Sequence, residues 1–201
     1  MHKFLLTAAA SACLLLGGCA STSAPRSANA VAAFQDSIEL SGRLSVNYSK
    51  DGKPEALSGK FNWRQRPGRI DVSLASPLGQ TIATISVTPQ QASLTEAGKP
   101  PRVAADIDTL SAQALGWSLP VSGLRDWLQG YASAADGSRF VATPTRDSVT
   151  TRDGWRLRYV SWQDESAAVP QPKRIDAERQ GGGEVEEMTI RIVIDAAAPA
   201  S

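Results

Sequence analysis

Few side chains in this sequence could serve as nucleophile, proton carrier or metal ligand, and their positions narrow the choice further. The 201 residues include one histidine, His2, and two cysteines, Cys13 and Cys19. All three lie in or beside an N-terminal segment with one cation, Lys3, and an apolar run from Phe4 to Leu16 broken only by Thr7 and Ser11. A segment charged at its start, too short to span a bilayer and ending in small residues reads as a secretory signal that is cut away. Cleavage before Cys19 removes His2 and Cys13 and leaves Cys19 as the single thiol. Ser-His-Asp and Cys-His catalysis, zinc sites built on His or Cys, and an internal disulfide are then excluded. The remaining acid clusters are Asp106 with Asp108, and Glu184 with Glu186 and Glu187. A carboxylate-pair hydrolase is the one enzyme they would suit, but a helix cap and a solvated strand edge account for them more simply. The expectation is a protein that is not an enzyme and has no metal and no cofactor.

Cys19 itself carries a different chemistry. Leu16-Gly17-Gly18-Cys19 resembles the bacterial lipobox read by lipoprotein signal peptidase, which implies a mature chain that begins at a lipid-modified Cys19. Ala20 follows, where lipoproteins kept in the inner membrane normally carry Asp, so the resemblance points to the periplasmic face of the outer membrane. Removing residues 1–18 leaves 183 residues, one domain with room for a core. It also removes Lys3 and leaves 20 cationic against 20 anionic side chains. That balance gives no reason to expect nucleic acid as a partner. From Ser21 to Ala33 the chain is mostly Ser and Ala and reads as a flexible tether. The predicted organisation is a signal over 1–18, the lipidated cysteine and tether over 19–33, one domain over 34–195 and a disordered tail over 196–201.

The domain is dominated by period-two alternation. Ile38, Leu40, Leu44, Val46 and Tyr48 alternate with polar residues, and the pattern resumes after Lys50-Asp51-Gly52-Lys53 in Leu57, Gly59, Phe61 and Trp63. Ile70, Val72 and Leu74 follow the turn Arg66-Pro67-Gly68, so these three strands form an antiparallel meander. Thr81 to Val87 and Gln91 to Thr95 continue it. Farther on, Arg139 to Thr143 with Asp147 to Thr151 reads as a hairpin, and Trp155, Leu157 and Tyr159 as a strand. Val169 to Ile175 reads as a proline-marked short edge strand, and Met188, Ile190, Ile192 and Ile194 as a last strand. Two short helices interrupt this β pattern. Asp106 caps one that carries Ile107, Leu110 and Leu115 up to Trp117, and the other follows Pro120 with Val121, Leu124, Trp127 and Leu128 on one face.

Nine to eleven strands with one apolar face predict a mainly β fold, an incomplete antiparallel barrel, because curling removes exposed edges. A barrel this wide is not filled by its own side chains, so an apolar cavity is expected. The best candidates for its lining are Leu44, Val46, Phe61, Trp63, Ile70, Val72, Leu74 and Ile85. The helices either cover an open side as a lid or plug the barrel by packing. The turn Ser76-Pro77-Leu78-Gly79 places Leu at its third position, where a polar residue is usual. Leu78 either points into water or folds back onto the sheet. Arg43, Arg64, Arg66 and Arg69 form either a basic rim for an acidic partner face or a solvated surface.

Several short pieces occur in order: Gly42-Arg43-Leu44-Ser45-Val46, Gly59-Lys60-Phe61-Asn62-Trp63, Ser76-Pro77-Leu78-Gly79, Gly116 and Pro120 with Leu124 to Gly130, and Trp155-Arg156-Leu157-Arg158-Tyr159. Together they resemble one family, the outer-membrane lipoprotein receptor LolB. The resemblance implies an incomplete barrel with a helical lid over a hydrophobic cavity. It also implies that the protein takes lipoproteins from the periplasmic carrier LolA and inserts them, acyl chains first sheltered in the cavity, into the outer membrane without ATP. On the same resemblance the turn of Pro77, Leu78 and Gly79 is a membrane-targeting loop with an exposed leucine, and the protein is a monomer. A lipoprotein that carries free lipid in a similar barrel is the alternative, because apolar walls accept any acyl chain.

Overall fold

The computed structural model describes residues 26–50, 52–115, 120–180 and 185–196. Its strands are β1 (Ile38–Lys50), β2 (Lys53–Arg66), β3 (Arg69–Ala75), β4 (Thr81–Val87), β5 (Ala92–Glu96), β6 (Arg102–Ala104), β7 (Tyr131–Ser133), β8 (Arg139–Val141), β9 (Ser148–Thr150), β10 (Arg156–Trp162), β11 (Pro172–Gln180) and β12 (Val185–Ile194); between β6 and β7 lie α1 (Ile107–Leu115) and α2 (Val121–Trp127). Ten strands form one antiparallel sheet in the order β6-β5-β4-β3-β2-β1-β12-β11-β10-β9. Its two outer strands, β6 and β9, do not pair with each other, so the barrel is incomplete. The opening is crossed by the connection between them: α1 packs on β5 and β6, α2 on α1 and β7, and Ala134 bridges to Thr151 beside β9.

The alternation that predicts β1 to β4 is the alternation that fills the core. Along β2, Phe61, Trp63 and Gln65 are buried while Lys60, Asn62 and Arg64 are exposed. Gly42 in β1 lies opposite Phe61. A Cβ there would fall 2.8 Å from Phe61 Cε1 and 2.2 Å from the Val193 carbonyl oxygen, so glycine is what lets the ring lie flat on the strand. The first and last strands pair over most of their length, Leu44 opposite Ile192 and Val46 opposite Ile190. That closure gathers Trp63, Trp155, Leu157, Tyr159, Ile175, Ile190 and Ile192 into one buried cluster.

Four expectations change. The strands number twelve among the described residues, since β6 and β7 are too short to show alternation. Val169 to Ile175 is no edge strand. β11 runs Pro172–Gln180 between β10 and β12, with Ile175 and Ala177 fully buried. Pro172 is tolerated because it is the first residue, where its missing N–H breaks no interior ladder. β8 and β9 do not form a hairpin with each other. β8 pairs with β7 and β9 with β10, because the Thr143 to Arg146 turn sends the chain across to the other sheet. Finally, residues 26–33 are a strap on the barrel instead of free tether. Arg26 pairs with Glu165 at 3.1 Å, Asn29 Nδ2 donates to the Ala168 carbonyl at 3.0 Å, the Val31 amide donates to the Ala142 carbonyl at 3.2 Å, and the Val31 side chain is buried.

On the outer face Asp176 accepts from Arg174, and from Arg191 Nε at 3.3 Å. Burial pushes its carboxyl up, but the hydrogen bond and charge of Arg174, with Arg191 adding to them, win and hold it below the usual carboxylate range. A lowered folded-state pKa stabilises the fold above the unfolded-state value, and that contribution is lost as pH falls through the folded-state value. Asp176→Asn should therefore melt below the wild type at neutral pH, and the two melting curves should converge as the pH drops below the carboxylate range. A constant gap at all pH values in thermal unfolding would refute this account.

Candidate functional site

An apolar cavity of about 50 Å³, partly open to the outside, lies between the inner face of the sheet and α2. The sheet contributes Leu44, Phe61, Trp63, Val72, Leu74, Ile85 and Ile192, and α2 and its C-cap contribute Val121, Leu124 and Leu128. Every lining residue is apolar. A water in the liquid occupies about 30 Å³, so the space would hold one or two waters and no acyl chain. The space must widen for a chain to enter, and α2 is the wall opposite the sheet.

The two helices therefore have different places. Ile107 and Leu110 of α1 are buried with Ala92 and Val121 in a small second cluster against β4 and β5, which adjoins the cavity through Val121, Ile85 and Leu124 while neither Ile107 nor Leu110 lines it. Leu115 is the last residue of α1, and Trp117 lies outside the described residues. α2 alone closes the cavity. Its start is held by Asp108 of α1, which accepts from the Ser122 amide at 3.1 Å and from the Ser122 hydroxyl. Pro120 at the N-cap supplies no side-chain bond of its own, so the neighbouring helix makes good the deficit. Asp106 caps α1, accepting from the Thr109 amide at 2.7 Å. Both carboxylates of that pair are thus engaged in holding helix ends.

The other end of α2 is held by the residues that follow the strap. Arg125 pairs with Asp36 at 3.2 Å, Gln35 and Gln129 exchange hydrogen bonds of 2.9 and 3.1 Å, and Arg125 lies over the Phe34 ring. The ionic partners are 49% and 68% exposed. An exposed ion pair is worth about 0.2 to 1 kcal/mol, so the Arg125–Asp36 pin can part at small cost. Trp127 turns the other way, buried against Trp155 at a ring distance of 5.9 Å, and its carbonyl accepts from the Tyr159 hydroxyl at 3.3 Å. Burial, with a lesser contribution from Asp126, pushes the Tyr159 hydroxyl far above its ordinary pKa, so it remains a neutral donor.

Between β3 and β4 the chain makes a tight turn. The Gly79 amide donates to the Ser76 carbonyl at 2.9 Å and the Ser76 amide to the Gln80 carbonyl at 2.8 Å. Gly79 has φ +89, a left-handed conformation that suits glycine. With the backbone satisfied and Pro77 fixing the entry, Leu78 stands 91% exposed. Larger concavities lie elsewhere. A groove of about 650 Å³ on the outer face of β2 to β5 is lined by hydroxyls and by two internally paired sets of charges, Arg64 with Glu39 and Arg69 with Asp71.

An apolar cavity under α2, with Leu78 held out in water, is the setting for the comparison with known families. The family described as "Outer membrane lipoprotein LolB" matches residues 36–196. The chain belongs to the LolB family of outer-membrane lipoproteins. An outer-membrane lipoprotein LolB of Cupriavidus necator is 40% identical over 191 residues, covering 92% of each chain. One of Thiobacillus denitrificans is 34% identical over 191 residues, covering 94% of this chain and 95% of the other. Among solved structures, a LolA superfamily protein from Nitrosomonas europaea covers 81% of this chain and 85% of its own at 9% identity, with a TM-score of 0.42.

Within this LolB chain, six of the eight side chains expected at the cavity line it: Leu44, Phe61, Trp63, Val72, Leu74 and Ile85. The other two do not. Val46 is fully buried in the main cluster, and Ile70 packs half-buried against it. Ile192 and Val121 complete the lining unforeseen. Ile192 showed its inward phase in the alternation of β12, but its place opposite Leu44 depends on a pairing between the two ends of the chain. The basic rim of four arginines does not form as a unit, because Arg64 and Arg69 are neutralised by their neighbours. Cys19 and Glu184 lie outside the described residues.

Proposed function

We propose that this protein takes lipoproteins from a soluble periplasmic carrier of the LolA type and inserts them into the inner leaflet of the outer membrane, itself held there by lipid on Cys19. The observation that carries the reading is the wholly apolar cavity beneath α2. Buried methylenes are worth about 0.8 kcal/mol each, so acyl chains of roughly sixteen carbons cannot pass through water unprotected. Exchange between two apolar cavities keeps them covered and changes the net free energy little, which is why no nucleotide is required. The half-buried Leu124 and the buried Val121 and Leu128 leave the cavity as a chain enters, and the chain replaces their contacts with the sheet. The role is carriage and insertion, with no bond made or broken.

In the deciding experiment, a labelled lipoprotein loaded on the carrier is mixed with this protein in solution, without ATP and without membrane. Transfer of the label supports the proposal. Retention by the carrier, together with capture of free fatty acid by this protein, would replace it with a general lipid-binding role.

A further inference from the structure

The outer face of the sheet carries a notch of about 320 Å³ beside the Leu78 turn, with Pro77 as one wall. Its rim holds three cations, Arg43, Lys60 and Arg191, with the hydroxyls of Ser45 and Ser58, and no carboxylate lines it. Arg43 and Lys60 are directly opposed across β1 and β2, an arrangement of like charges that weakens a sheet. Elsewhere on the same face Arg64 lies opposite both Glu39 and Asp71, and Arg156 opposite Glu178, and where Arg66 faces Arg69 the second is paired with Asp71. Among the described residues neither Arg43 nor Lys60 has an ion-pair partner, and Arg191 alone reaches a carboxylate, Asp176. The floor between them is apolar, with Val193, Gly59 and Leu44.

We propose that this notch binds the phosphate of a membrane phospholipid headgroup. Two exposed cations beside an almost wholly apolar notch match a phosphate held at the rim with its glycerol and first methylenes below it, and the anion relieves the repulsion between Arg43 and Lys60. Continuity with Leu78 decides for a membrane over an acidic protein face: the residue after Pro77 is the exposed leucine, so headgroup and hydrocarbon contacts fall side by side. The notch supplies attraction at the surface and Leu78 supplies insertion. The inference deepens the membrane role proposed above, on which it rests.

The test uses the whole mature chain with Cys19→Ala, so that the anchor does not mask the contact. Its binding is measured to vesicles of phosphatidylethanolamine and phosphatidylglycerol, and to vesicles of phosphate-free galactosyl diacylglycerol. Each surface cation near anionic lipid contributes about fivefold in affinity, so Arg43→Gln with Lys60→Gln should bind the phospholipid vesicles about thirtyfold more weakly. On phosphate-free vesicles it should equal the unsubstituted protein, and the charge-keeping pair Arg43→Lys with Lys60→Arg should behave as the unsubstituted protein on both. Equal binding of the glutamine variant to phospholipid overturns the proposal. So does an equal loss on both vesicle types, whereas displacement of the unsubstituted protein by free glycerophosphate at an ionic strength where chloride has no effect is the competition the proposal expects. Vesicle binding intact but uptake from the carrier lost would overturn it in favour of a protein-docking face. Leu78→Glu is measured alongside: if it alone loses binding, the notch is refuted while the membrane role of the turn stands.

Discussion

Leu78→Glu should fold and melt like the wild type, accept lipoprotein from the carrier at the normal rate, and deliver it to membranes about ten- to a hundredfold more slowly. The fold is unaffected because the side chain is 91% exposed and the turn is held by backbone hydrogen bonds and Gly79. The loss follows from the value of one leucine, about 1.5 to 3 kcal/mol on burial, which the carboxylate forfeits. Loading and delivery are separated by running the transfer first without and then with vesicles. Normal insertion by the variant would remove Leu78 from the mechanism, whereas failed loading would make the turn part of the carrier's docking face.

Leu124→Ala should act in the opposite sense on the cavity. Leu124 is a half-buried residue of α2 whose contacts favour the closed state, and closure competes with the acyl chain for the same apolar walls. Shortening it weakens closure by roughly 1 to 2 kcal/mol. The fraction of molecules able to accept a chain then rises, and apparent affinity rises with it, by about tenfold. Because closure also helps to expel the chain, delivery to vesicles should slow. Titration with a fluorescent fatty acid reads the first effect and vesicle transfer the second. Weaker binding by the variant would show that Leu124 is a wall of the site and does not gate it.

Most of the sheet was legible because each of β1 to β4, β10 and β12 carries its own inside and outside in the spacing of its residues. Phe61 and Trp63 announce their face against Lys60 and Asn62 without reference to any partner. What stayed hidden depends on distant pairing. Ala177 in β11 is too small to mark an apolar phase, and only its neighbours in β10 and β12 make that strand interior. The split between the helices was hidden for a similar reason, since Leu110 and Leu124 look alike on a helical face. The first meets β5 while the second meets the cavity. Leu78 was ambiguous in sequence, because a turn composition does not say whether its tip reaches back to the sheet. Asp108 read as half of an acid pair, and its role at the start of α2 depends on a contact between two helices.

The strap has a consequence for how far the protein can act from the bilayer. If Cys19 carries the lipid as proposed, the leash is the seven residues to Arg26, at most about 25 Å when fully drawn out, instead of about 50 Å had the chain been free to Ala33. A body of this size is roughly 40 Å across. The leash is shorter than the body it holds, and leash and body together keep the exposed turn in a layer within about 65 Å of the lipid. Within that layer its local concentration is set by geometry and reaches the millimolar range. A contact of about 1.5 to 3 kcal/mol, too weak to retain a freely diffusing molecule, then recurs often enough to matter. On this view the carrier makes the journey across the periplasm, and the receiver stays at the surface with its one leucine within reach of the membrane.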